Sequence, residues 1–158
     1  MTDKHRARPV PPPAEPSEPN YSDSFAIVMP LTEPRRAEAW MREIFEGAPR
    51  PLRWFLLAGW FIALGFRPGP AGSSQHVLGW PISESTPEVV VLEQHSGLIG
   101  AHLTLHVDRS QILWTTRVDF RRVAARPIWA VVGIPHRRIV PYLLERAIAH
   151  AAAYTVNT

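Results

Sequence analysis

The sequence predicts an α+β fold in which a curved antiparallel sheet closes over a long C-terminal helix. Ile99, Ala101, Leu103, Leu105 and Val107 alternate with Gly100, His102, Thr104, His106 and Asp108. Ile112, Trp114, Thr116, Val118 and Phe120 alternate likewise with Leu113, Thr115, Arg117 and Asp119. A period of two sends each set to its own sheet face, one wet and one dry. After them the chain ends on a single long apolar stretch of helical spacing.

The elements follow in order. Residues 1 to 21 carry Pro9, Pro11, Pro12, Pro13, Pro16 and Pro19 among charges. So little apolar surface cannot offset ordering entropy, so this segment reads as a disordered tail. Ser24 to Met29 reads as a strand with Phe25, Ile27 and Met29 on one side. Thr32 reads as an N-cap, with Glu33 and Pro34 in the first turn. Ala37, Trp40, Met41, Ile44 and Phe45 then keep helical spacing up to Gly47, a C-terminal stop.

Pro49 and Pro51 open a second helix expected to reach about Phe66. From Trp54 to Phe66 lie 13 residues without a charge, fewer than the roughly 20 a membrane span needs. Two main readings remain. One is a helix buried between sheet and neighbour; the other is a helix with an exposed apolar side, used for a homodimer or weak membrane-surface contact. Burial is preferred, because Trp40 and Phe45 are close enough in sequence to receive it.

Arg67 to Gln75 is turn chemistry. Strands are expected at His76–Ser83, Glu88–His95, Ile99–Val107 and Ile112–Arg121. Pro81 cannot donate to a ladder, which puts the first of these at an edge or a bulge. A two-residue loop at Ser96-Gly97 sets Val91 opposite His102 and Val89 opposite Thr104. One at Arg109-Ser110 sets His102 opposite Arg117 and Thr104 opposite Thr115. Both registers place Val90, Leu92, Leu103, Leu105, Trp114, Thr116 and Val118 on the inner face. The last helix is expected from about Pro127 to Ala153, with Ile128, Val131, Val132, Pro135, Ile139, Tyr142, Leu143 and Ala147 as its buried stripe. Gly133, Pro135 and Pro141 should bend or interrupt it.

Composition narrows the function. Apolar residues make up 46% of 158, enough for one domain with a core. The 17 basic residues include Lys4 as the lone lysine, and the net charge is +3. Arg121, Arg122, Arg126, Arg137 and Arg138 form the densest group, without a nucleic-acid motif or an exposed stacking pattern, so no nucleic-acid partner is expected. The absence of cysteine excludes disulfides, thiolate zinc sites and a cysteine nucleophile. Prolines follow the basic start where a signal peptide would be apolar, so a cytoplasmic protein is expected.

Three segments carry a family resemblance: WAVVGIPHRRIVPYLLERA at 129–147, HVLGWPI at 76–82 and AWMREIFEGAP at 39–49. They resemble the DUF2867 family of mostly bacterial proteins. The element order resembles the helix-grip fold of the START or polyketide-cyclase-like (SRPBCC) superfamily. The likeness covers residues 22 to about 150. It implies a helix-grip domain over 22–153, a short tail at 154–158, and a cavity between sheet and helix, without implying a reaction. The Rossmann domain that some relatives carry has no counterpart here, for there is no GxGxxG.

The leading expectation is a protein that binds a small hydrophobic molecule, lipid- or polyketide-like, without a cofactor. Its cavity would be lined by Trp80, Leu92, Gln94, Leu103, Leu105, Trp114, Thr116, Val118, Ile139, Tyr142 and Leu143, a mostly apolar set with few polar groups. The alternative is a cyclase or hydratase using Tyr142, Gln94 or His136 as a proton relay; Glu93 and Asp119 fall on the outer face and supply no inner carboxylate pair. Of the histidines at 76, 95, 102, 106 and 136, only His102 and His106 share a strand face. They stand about 13 Å apart, too far for one metal, so no metal is expected. His136 has two readings, a cap or loop hydrogen bond and a polar gate at the cavity mouth.

Overall fold

The computed structural model describes residues 5–29 and 35–156, with side chains up to Ala153. It is α+β. The strands are β1 (Arg8–Val10), β2 (Tyr21–Val28), β3 (His76–Val77), β4 (Trp80–Ser85), β5 (Val89–His95), β6 (Ile99–Val107) and β7 (Gln111–Phe120). They form one open antiparallel sheet in the order β1-β2-β7-β6-β5-β4-β3. The helices are α1 (Ala37–Phe45), α2 (Arg50–Ala58) and α3 (Ala125–Val156). No helix among the described residues is long and apolar enough to cross a membrane.

The alternation of β6 and β7 does what its period requires. Leu103, Leu105, Trp114, Thr116 and Val118 are buried on the inner face. His102 pairs with Arg117 and Thr104 with Thr115, as the Arg109-Ser110 loop demands. Asp108 holds that loop by accepting from the Ser110 and Gln111 amides and from the Ser110 hydroxyl. These bonds, led by the Ser110 hydroxyl, keep its carboxyl below the ordinary value.

The β5–β6 register differs by two residues. Val91 faces Thr104 and Glu93 faces His102, because Ser96 itself pairs with Ile99 and leaves Gly97-Leu98 as the loop. Ser96 Oγ accepts the Leu98 and Ile99 amides and donates to Leu64 O. An even shift keeps every side chain on its face. The strand expected at His76–Ser83 is instead a hairpin: Leu78 (φ 46°) and Gly79 (φ 84°) both take the left-handed conformation of a type I′ turn.

The N-terminal segment departs furthest from expectation. Arg8–Val10 pair with Ser24–Ala26 as an edge strand. Ser17 and Glu15 both engage Arg117, and Asn20 Oδ1 accepts the Phe120 amide. Main-chain pairing and polar anchors hold a segment whose side chains supply no core. The expected cap at Thr32, Glu33 and Pro34 lies outside the described residues.

Helix α1 buries all five residues its spacing selected, Ala37, Trp40, Met41, Ile44 and Phe45. It packs over β5 and β6 and against α3, which in turn reaches β2. Arg42 ties α1 to the start of β3 and the chain before it through the His76 and Ser74 carbonyls. Helix α3 is continuous through Gly133, Pro135 and Pro141, so the expected interruption is absent. Its stripe is also rotated: Trp129, Val140, Leu143, Leu144, Ala147 and Ile148 are buried, whereas Val131 and Tyr142 face solvent.

Burial of the second helix is not what the structure shows. Helix α2 has no buried residue, and neither has the π-helical turn Gly59–Ala63 that prolongs it. Trp54 is 72% exposed and Ile62 79%, with Phe55 and Phe61 also exposed. Its inner side, Leu52, Leu56 and Trp60, is partly buried against the core, and Leu64 and Phe66, beyond its end, are buried. Helix α1 and α3 already cover the sheet, which leaves α2 one side to pack and one to spare.

Candidate functional site

A cavity of about 250 Å³ lies between the sheet and the helices. Its sheet wall is Trp80 of β4, Ala101 and Leu103 of β6, and Trp114, Thr116 and Val118 of β7. Helix α3 supplies Trp129, Val132, His136, Ile139, Val140 and Leu143. Phe45, Phe55, Leu56, Gly59, Trp60, Leu64 and Phe66 close the rest. One end is an edge-to-face aromatic cage, with Phe45–Trp60, Phe45–Trp114, Trp60–Trp80 and Phe66–Trp80 ring centres 5.5, 5.6, 5.3 and 5.4 Å apart.

Of the expected lining residues, Trp80, Leu103, Trp114, Thr116, Val118, Ile139 and Leu143 line this space. The other four do not. Leu92 and Leu105 are fully buried, but in the packed core under α1. Gln94 donates to Arg67 O at 3.0 Å and so fastens the loop after α2. Tyr142 is 49% exposed because α3 is rotated relative to the expected stripe.

The polar end of the cavity is built from β2, β7 and α3. Tyr21 donates to Asp23 Oδ2 at 2.5 Å, and His136 Nε2 lies 3.1 Å from the same oxygen. His136 Nε2 is also 3.2 Å from Thr116 Oγ1, which accepts from Trp114 Nε1 at 2.8 Å. The Tyr21 and His136 rings both flank Trp129, at 5.0 and 5.4 Å. Asp23 and His136 side chains are only 13% and 15% exposed.

Electrostatics order this cluster. Burial pushes the Asp23 carboxyl up, but the His136 hydrogen bond and charge, with the Tyr21 and Thr116 hydroxyls, outweigh it and hold the pKa below the ordinary 3.8. Asp23 is therefore an acceptor at neutral pH, and His136 Nε2–H is its donor. The Tyr21 hydroxyl is pushed up to about 12, first by burial and then by the neighbouring carboxylate. Asp23 Oδ1 remains buried without a hydrogen-bond partner among the described residues, an acceptor that costs free energy until something meets it.

Tyr21 and Asp23 escaped the sequence reading because the strand was begun at Ser24. Carried three residues back, the same alternation puts Tyr21, Asp23, Phe25 and Ile27 on one face, and an acid in the inward phase is the missed signal. Of the outer-face histidines, His102 and His95 both approach Glu93 Oε1, at 3.3 and 3.7 Å. Among the described residues no group of three or more His, Asp or Glu is placed to hold a metal.

No family model, curated protein or solved structure matches the chain.

Proposed function

We propose that this protein binds a small, mainly apolar molecule in the cavity between sheet and helices, its one polar group directed to His136 and Thr116. The observation that carries this reading is the segregation of the lining: aromatic and aliphatic side chains nearly throughout, with the polar cluster at one end. Apolar contact supplies affinity and a few placed polar groups supply orientation. Placement within the helix-grip superfamily, and within the DUF2867 family, is part of the same proposal. It is supported by the antiparallel sheet with a long C-terminal helix against one face.

Naphthol is a suitable probe, an apolar bicycle with one hydroxyl. It should raise the melting temperature of the wild type in proportion to binding. Leu103→Trp, which fills the space, should abolish that rise. No rise in the wild type, or an equal rise in the variant, would count against the reading.

A second reading, an enzyme of cyclase or hydratase type, is favoured by the Asp23–His136 pair. A carboxylate-paired imidazole against an apolar cavity is suited to moving a proton. Its test is deuterium exchange into the methyl group of acetophenone, wild type against His136→Gln. Equal rates would dispose of it.

A further inference from the structure

The geometry points to a membrane-docking surface around the cavity mouth: the exposed apolar stripes of α2 and α3, with their arginines, seat the protein on an anionic lipid bilayer. On α2 and its π-helical turn, Arg50, Trp54, Ala58 and Phe61 follow at i, i+4, i+8 and i+11, and all are exposed. On α3, Val131, Ile134, Arg138 and Tyr142 follow at i, i+3, i+7 and i+11, again all exposed. Each is one solvent-facing stripe of a helix. Phe55, next to Trp54 on α2, and Val131 of the α3 stripe line the same cavity from its two sides, so both helices border its opening.

Charge identifies the occupant. No Asp or Glu occurs between Glu46 and Glu84, or between Asp119 and Glu145. Those two acid-free segments hold α2 and the first part of α3, and they carry eight of the arginines. A second copy docked by two-fold symmetry would bring these like-charged segments together without a compensating acid. Bases can stack on exposed Trp54, Phe61 and Tyr142, but a nucleic acid would gain nothing from the equally exposed branched Ile62, Val131 and Ile134. An anionic bilayer satisfies both halves: hydrocarbon takes the aliphatic side chains, the headgroup layer takes Trp54 and Tyr142, and lipid phosphates meet the arginines. Contiguous exposed apolar patches of this kind mark such contacts.

This inference does not rest on ligand binding, because docking is read with vesicles alone. The full chain is sedimented with phosphatidylcholine vesicles, with and without phosphatidylglycerol. It should pellet with the mixed vesicles, less with pure phosphatidylcholine, and be released by raised salt. Trp54→Ser and Ile62→Ser should lose binding with unchanged melting, and Arg138→Gln should weaken it roughly fivefold. Failure to pellet at low salt, indifference to phosphatidylglycerol, or undiminished binding by the two Ser variants would overturn the proposal. A dimer that Trp54→Ser dissociates, with no vesicle binding, would assign the surface to a second copy instead. Lost vesicle binding with naphthol stabilisation intact refutes docking alone.

Discussion

Asp23 Oδ2 lies 3.1 Å from His136 Nε2, joining β2 to α3 across 113 residues of chain. The pair closes the polar end of the cavity and pins the last helix to the sheet at the point where Thr116 also meets it. Both side chains are largely buried, so loss of either leaves its partner poorly compensated.

Asp23→Asn should destabilise the fold by about 1–3 kcal/mol at neutral pH, the cost of a buried group left without its charged partner. The sign of the pH dependence follows from the lowered Asp23 pKa. Its stabilising contribution is complete above the unfolded value of 3.8 and is lost as pH falls from there through the folded value. Urea unfolding over the acid range should therefore show a shallower acid loss in Asp23→Asn than in the wild type. Equal acid slopes would contradict the assignment.

Tyr21 gives a complementary signal in alkali. Its folded pKa of about 12 stands above the ordinary 10.0. The folded state holds that proton more tightly, so the contribution is present below the unfolded value and is lost as pH rises through the folded one. An ultraviolet ionisation titration should show a late-ionising component that Tyr21→Phe lacks.

Two core leucines should separate by their surroundings. Leu105 is fully buried away from the cavity, whereas Leu103 lines it. Leu105→Ala should cost about 3–5 kcal/mol, and Leu103→Ala about 2–3 kcal/mol because it already has fewer packing partners. Chemical denaturation of both gives the order, and a larger loss for Leu103→Ala would argue that the cavity is collapsed in solution.

The π-helical turn that prolongs α2 has a packed side and an exposed side. Phe61→Ser should change stability by less than about 0.5 kcal/mol, as an exposed substitution does. Trp60→Ser should cost about 2–4 kcal/mol, since Trp60 packs edge-to-face on Phe45 and Trp80. Thermal unfolding of the two variants tests this side by side.

What was legible in the sequence depended on how local its cause was. The β6–β7 register followed from a turn and an alternation a few residues away, and α1 from five apolar positions at helical spacing. The α2 surface was not legible. An apolar helix without charge reads the same whether it is buried or left uncovered, and what covers the sheet was decided by α1 and α3. The rotation of α3 escaped for the same reason: apolar residues nearly surround it, so periodicity did not choose between Tyr142 and Trp129 as the inward aromatic. Edge strand β1 was hidden because main-chain pairing leaves no mark on composition. Within the site, the sheet-borne members Leu103, Trp114, Thr116 and Val118 were readable, whereas Tyr21 and Asp23 required a strand boundary three residues earlier.

The most direct measurement is native mass spectrometry of the full chain purified from its own host, wild type beside Leu103→Trp. A wild type carrying a small apolar molecule that the filled variant lacks is the result this account requires. A wild type whose mass is that of the polypeptide alone, or a molecule retained equally by Leu103→Trp, would contradict a binding role for the cavity.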